Sequence, residues 1–219
     1  MQRIGHNVNR VNVDVKRRPY RSAARALQAR QTRRRILAAA TRLFVKRGYV
    51  ATSVAGIAAE AGVVSRTVYL DFPNKRALLE EAIGFALGGD DAPVALRDRD
   101  WFRQTVEAPV AEIPTLFAKF TAALHVRSAA LLEAAEAAAS ADPELAERRD
   151  RARKHRRANM RRVATAVAAQ TGAEVDNLTD IFYSLESPAV YAQFVFQCGW
   201  SPQRYERWLR ETLEAAILK

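Results

Sequence analysis

An all-α fold is predicted for this 219-residue chain by apolar residues at helical spacing, by helix-starting prolines behind capping residues, and by scarce strand-like alternation. Ile36, Ala40, Leu43 and Phe44 fall at i, i+4, i+7 and i+8, one stripe of a 3.6-residue helix. Pro114, Asp142-Pro143, Ser187-Pro188 and Ser201-Pro202 mark helix starts, because proline lacks an N–H that the first turn does not need. Val11, Val13 and Val15 alternate briefly, but their Asn and Arg neighbours argue against a strand. About nine or ten helices are expected.

Taken in order, residues 1–30 carry no sustained apolar period and read as a basic flexible arm, with helical character near Ser22–Arg30. The helix that begins at Ile36 stops at Gly48. Thr52 or Ser53 caps a short helix whose inward side is Val54, Ile57, Ala58 and Ala61. Gly62 ends it, and a second short helix runs from Val64 to about Leu70. Pro73-Asn74 forms a turn, and Lys75 opens a helix through Leu78, Leu79, Ile83 and Phe85. Two short helices across a tight Gly-containing turn, behind a supporting helix, make a helix-turn-helix at about 53–72, within a unit spanning 31–83.

Gly88-Gly89-Asp90-Asp91-Ala92-Pro93 reads as a loop, and residues 84–219 form a larger helical domain. Leu116–Ala139 and Glu144–Ala169 are its long helical stretches, and Thr171-Gly172 closes the second. The last helix carries Tyr205, Trp208, Leu209, Thr212, Leu213, Ala216 and Ile217 on one stripe.

Charge separates the two ends. Residues 1–47 hold 14 Lys and Arg against one acid, Asp14, so that segment is +13 while the whole chain is +11. Such asymmetry suits an end that meets a polyanion. A membrane surface would want bulky apolar residues among the arginines, and from Lys16 to Arg35 only Tyr20 and Leu27 qualify, so DNA is favoured. No apolar run is long enough to span a bilayer, and the start is unlike a secretory signal. The single cysteine, Cys198, excludes an internal disulfide framework, suits a reducing cytoplasm, and is expected to be a small buried hydrophobe. His6, His125 and His155 lack metal-ligand spacing, and no local nucleophile–base set or phosphate loop appears. Neither an enzyme, a metal site nor a cofactor is expected.

The second helix of a helix-turn-helix enters the major groove, where base pairs are distinguishable. Val68 and Phe72, four apart, face inward with Val63, leaving Ser65, Arg66 and Tyr69 outward. Arg66 is the natural base reader, since its fork matches guanine O6 and N7. Thr67, Tyr69 and Lys75 are placed for phosphates, and Arg33 and Arg34 end the basic stretch Arg17–Arg35 that is expected to fold onto DNA, in the adjacent minor groove as other arms do.

The run Gly48-Tyr49-Val50-Ala51-Thr52-Ser53-Val54-Ala55-Gly56-Ile57-Ala58-Ala59-Glu60-Ala61-Gly62-Val63 continues into Thr67-Val68-Tyr69 and Phe72-Pro73-Asn74-Lys75. From about Thr32 to Ile83 it resembles the DNA-binding domain of the TetR family of bacterial transcriptional regulators. Arg17-Arg18-Pro19-Tyr20-Arg21-Ser22 and Gly199-Trp200-Ser201-Pro202 resemble actinobacterial-type members with an Arg-rich arm. The resemblance implies a homodimer on a near-palindromic double-stranded operator, most simply a repressor released when the second domain binds a small molecule. It assigns base reading to Ser65 and Arg66, phosphate contact to Thr67, Tyr69 and Lys75, and helix capping with backbone contact to Thr52 or Ser53.

Three residues depart from the family pattern. Val64 replaces a usual Ser, so Ser65 is expected to take over the cap and shift the helix start. Ala55 removes one polar contact, and Asp71 would repel phosphate unless Lys75 pairs with it at i+4. Between Gly48 and Phe85 stand three basic and four acidic residues, so the arm is expected to supply much of the charge-driven affinity.

His125 and Arg127 interrupt an apolar helix and, with Phe117, Phe120, Leu124, Phe182, Tyr183 and Glu186, are candidates either for a ligand pocket or for packed core. The nine basic residues between Arg148 and Arg162 read as a solvated helix face. Tyr191, Phe194, Val195, Trp208 and Leu213 carry apolar surface on two adjoining helices, which the resemblance places in a dimer four-helix bundle. Two other classes compete with the ligand-responsive repressor: an arm-driven architectural DNA-binding protein with weak specificity, and a small-molecule binder with a vestigial head.

Overall fold

Helix propensity without amphipathicity explains the first element of the computed structural model, which describes residues 17–90, 92 and 94–218, with side chains from residue 23 onward. Helix α1 spans Arg17–Ala51. Its first half is rich in Ala, Arg and Gln, all strong helix formers, and Pro19 sits in the first turn where it is tolerated. The helical character expected near Ser22–Arg30 is therefore present, and it extends back to Arg17. Residues 1–16, with the alternating valines, lie outside the described residues. At Gly48 a φ of 77° breaks the helical path, a conformation that glycine adopts at little cost.

The head follows as α2 (Val54–Ala61), α3 (Ser65–Asp71) and α4 (Lys75–Gly88). The Ser53 hydroxyl accepts the Gly56 N–H at 3.0 Å, and Asn74 Oδ1 accepts the Ala77 N–H at 2.9 Å, so both helices have side-chain N-caps. Helix α3 does not: Val64 is its N-cap residue and gives no side-chain bond, while Ser65 is the first helical residue. The expected shift of the cap to Ser65 is thus corrected.

Beyond a 3₁₀ turn (Leu96–Asp98) come α5 (Asp100–Glu107), α6 (Ile113–Ala139), α7 (Pro143–Thr171), α8 (Val175–Leu185), α9 (Pro188–Ala192), a π-helical turn (Gln193–Gln197) and α10 (Pro202–Ile217). Each proline-marked start holds: Asp142, Ser187 and Ser201 accept N–H groups at the heads of α7, α9 and α10. No strand occurs among the described residues, as an all-α chain requires.

Two cores organise these helices. Ile36, Leu37, Phe44, Ile57, Val68, Phe72, Leu78 and Leu79 fill the first, which also takes Leu131 and Ala138 of α6 and Leu145 of α7. The second packs Phe102, Phe117, Val163, Phe182, Tyr191, Tyr205, Leu209 and Leu213. Tyr191 and Leu213 therefore belong to the interior of the chain, which corrects their expected place on an intersubunit surface. The π turn brings Phe194 within 4.4 Å of both Trp200 and Trp208, ring centre to ring centre, so much of the apolar surface expected to need a partner is covered within the chain. Phe194, Val195 and Trp208 stay half-exposed. Cys198 is exposed rather than buried, because its N–H closes the π turn on the Gln193 carbonyl at the surface.

Candidate nucleic-acid interface and ligand cavity

Helix α3 buries Val68 and presents Arg66, Tyr69 and Leu70 on its outward side. Tyr69 is 53% and Leu70 77% exposed; Ser65 and Thr67 are half-buried. Val50 and Val64 are also largely exposed on the head. Sequence reasoning missed these apolar residues as contact candidates, although Val64 in place of a polar residue was the available signal.

Three of the expected DNA contacts are engaged inside the head. Lys75 Nζ lies 2.8 Å from the Tyr49 carbonyl, 3.0 Å from that of Thr52 and 3.4 Å from that of Val50, with the Tyr49 ring centre at 4.2 Å. Burial pulls its pKa below the ordinary lysine value. The ammonium closes the turn between α1 and α2 and pairs with neither a free surface nor Asp71. Thr52 is buried, its hydroxyl 2.7 Å from the Gly48 carbonyl and 3.1 Å from that of Leu43, and Ser53 is the residue that caps α2. Arg33 pairs with Glu81 of α4 at 2.7 Å, its guanidinium 4.6 Å from the centre of the Phe72 ring. Arg34 is exposed, close enough to Asp90 to favour that carboxylate's charged form.

A cavity of about 1080 Å³ opens between α4, the 3₁₀ turn, α5, α6, α7 and the α8–α9 corner. Six of the eight residues named as pocket candidates line it: Phe117, Phe120, Leu124, His125, Tyr183 and Glu186. Phe182 does not. It is wholly buried, its ring centre 4.9 Å from that of Phe117, and belongs to the core beneath the cavity. Arg127 also lies elsewhere, donating to the Ala86 and Leu87 carbonyls at 3.2 and 3.3 Å and so tying the end of α4 to α6. Arg99 adds a second tie, donating to the Gly88 carbonyl at 3.1 Å and pairing with Asp90, which it holds well down at about 2.

One end of the cavity is apolar (Trp101, Phe102, Phe117, Phe120), and polar groups converge beside it. His125 Nε2 is 2.8 Å from the Glu186 carbonyl, which can only accept, so Nε2 carries the proton and Nδ1 is an acceptor. Nδ1 is buried without a partner. Arg156 pairs with Glu186 at 3.0 Å, donates to the Tyr183 carbonyl at 2.8 Å and stacks over the Tyr183 ring at 3.7 Å. Burial depresses His125 to about 4 and pushes Glu186 up to about 7, against the pull of Arg156. Arg156 was hidden in a basic run read as a solvated face. Arg149, Arg153 and Arg156, at i, i+4 and i+7, share a face that lines this cavity, while Arg157 and Arg161 point outward to Asp180 and Asp176.

The head is a helix-turn-helix with an exposed second helix, and the body behind it holds a cavity. Residues 36–82 match the model of the bacterial regulatory proteins of the tetR family. The HTH-type transcriptional regulator YvkB of Bacillus subtilis is 47% identical over 51 residues, which is 23% of this chain and 27% of that relative, so the match spans about a quarter of its length. A TerR/AcrR-family transcriptional regulator from Aquifex aeolicus superposes with a TM-score of 0.66 at 18% identity, over 84% of this chain and 99% of that one. A transcriptional regulator from Saccharomonospora viridis, solved in complex with choline, gives 0.61 at 18% identity over 84% and 96%. Residues 36–82 therefore match the family's DNA-binding region, and the fold as a whole is like that of the Aquifex aeolicus regulator. No described helix is long and apolar enough to cross a membrane.

Proposed function

We propose that this chain is a cytoplasmic, homodimeric repressor that reads a near-palindromic operator with α3 and leaves it when a small molecule occupies the cavity. The observation that carries the reading is the position of α4. Its Leu78 shares a core with Val68 and Phe72, which hold α3, while its Leu79, Ile83 and Leu87 form a wall of the cavity. A ligand that moves this wall moves the reading helix with it. The choline complex of the Saccharomonospora viridis protein supports small-molecule occupancy of a body of this shape. Arg66 reads a guanine, Tyr69 reaches phosphate, and the exposed Leu70 and Val64 suit thymine methyl groups. The half-exposed Phe194, Val195 and Trp208 supply the contact with a second copy.

Selection of binding sites from random duplex DNA by the full chain tests this reading. A palindromic consensus is expected, and Arg66→Ala should weaken binding to it about 5- to 150-fold, the equivalent of about 1–3 kcal/mol for a bidentate base contact. Recovery of no consensus, with equal affinity for every duplex, would favour the architectural reading that the +13 segment 1–47 supports.

A further inference from the structure

We propose that the N-terminal extension of α1, residues 17–35, is a second DNA-contacting element: a rigid basic helix lying along the phosphates of the duplex that flanks the operator. The inference rests on the reading of the chain as a DNA-binding protein and adds to it a site of contact outside the helix-turn-helix.

Helix α1 runs on from Arg17, but its fully buried residues begin only at Ile36, and residues 23–31 are all exposed. At 1.5 Å per residue the stretch 17–35 reaches about 28 Å. It contains eight arginines and no acid. A 3.6-residue period puts positions 17, 18, 21, 25 and 35 in one arc of about 100°. Gln28 and Thr32 fall in the same arc, so the stripe is polar throughout. Arg33, which pairs with Glu81, is outside it.

The place where this stripe leaves the head connects it to the groove. Arg33 stacks on Phe72, the residue that follows α3, so the extension departs from the C-terminal end of the reading helix. The head itself has little positive charge, with three basic and four acidic residues from Gly48 to Phe85. Phosphate neutralisation with counterion release needs cations, and the extension holds them.

Helical form also decides where the contact lies. A helix with side chains is about 10–12 Å across, whereas the minor groove is about 6 Å wide. The minor-groove insertion expected of an extended arm is therefore replaced by a contact along the phosphate ridge. A reach of about 28 Å corresponds to about 8 base pairs at 3.4 Å each.

The test uses the full chain and an operator selected from random DNA, placed in a long duplex and in one trimmed to the operator. Replacing Arg17, Arg18, Arg21 and Arg25 by Gln should lower the slope of log affinity against log salt by about 3–4 per subunit on the long duplex. The native chain and the variant should bind the trimmed duplex alike, and hydroxyl-radical protection outside the operator should disappear in the variant. Ala24→Pro with Ala26→Pro keeps the charge and breaks the helix; flanking protection should be lost here too. An unchanged slope and footprint in the Gln variant overturns the proposal, as does full flanking protection in the proline variant, which would mark a flexible arm. Tighter binding of the extension to phosphatidylserine vesicles than to DNA, abolished by the same four substitutions, also overturns it. If no operator can be selected, the repressor reading fails, and the same salt titration on random duplex still decides this one.

Discussion

His125 and Glu186 meet at the cavity with opposite responses to burial. Neutral His125, held down at about 4, contributes stability that is present above its ordinary value and is lost as pH falls from about 6.5 towards 4. Glu186 is raised to about 7, so the fold favours its protonated form and gains stability as pH falls from about 7 towards 4.5. The two slopes oppose each other in mildly acidic solution. Relative to the native chain, Glu186→Gln should therefore lose melting temperature on acidification from pH 6.5 to 4.5, and His125→Asn should gain it from pH 7 to 5. Parallel melting curves for all three proteins would rule this account out. Both residues were legible as pocket candidates because polar groups interrupt apolar stretches. Arg156 was not, since neighbouring arginines on α7 are identical in type and only packing distinguishes the one that faces Glu186.

At the scale of elements, Lys75, expected at a phosphate, is engaged inside the head. It joins the first turn of α4 to three carbonyls of the α1–α2 connection. Lys75→Met should destabilise the head by about 1–3 kcal/mol, since part-buried carbonyls lose their donor. It should leave the salt dependence of DNA binding unchanged, where a phosphate contact would lower the slope by about 1. Urea unfolding and a salt titration measure the two effects separately. Helix α1 teaches a different lesson. Its packed half was visible through apolar periodicity, but its extension buries no apolar residue and leaves no such period; composition alone marks it as helix.

For the whole molecule, the sequence boundary near residues 83–84 does not separate two cores. Leu131, Ala138 and Leu145, from the body, are buried together with the head residues Ile36, Phe44, Leu78 and Leu79. The Arg76–Glu144 pair adds a polar tie across the same junction, and Arg127 and Arg99 hold the end of α4 to the body. Head and body should consequently unfold in one calorimetric transition, and Leu131→Ala should lower its midpoint, with a cost of about 2–5 kcal/mol expected for a buried leucine. Two resolved transitions, with only the body affected by the substitution, would contradict a shared core.

The sequence by itself determined most of the helices, most of their caps and breaks, the outward face of α3 and the concentration of charge at one end. These are local properties, set by a few residues of spacing, propensity and turn chemistry. Tertiary structure alone decided which lysine is used internally, which arginine faces the cavity, that Tyr191 and Leu213 are interior, and that the head is completed by α6 and α7. Each of those depends on what lies opposite a side chain in space, and contacts between residues far apart in the chain leave no periodic trace in either partner.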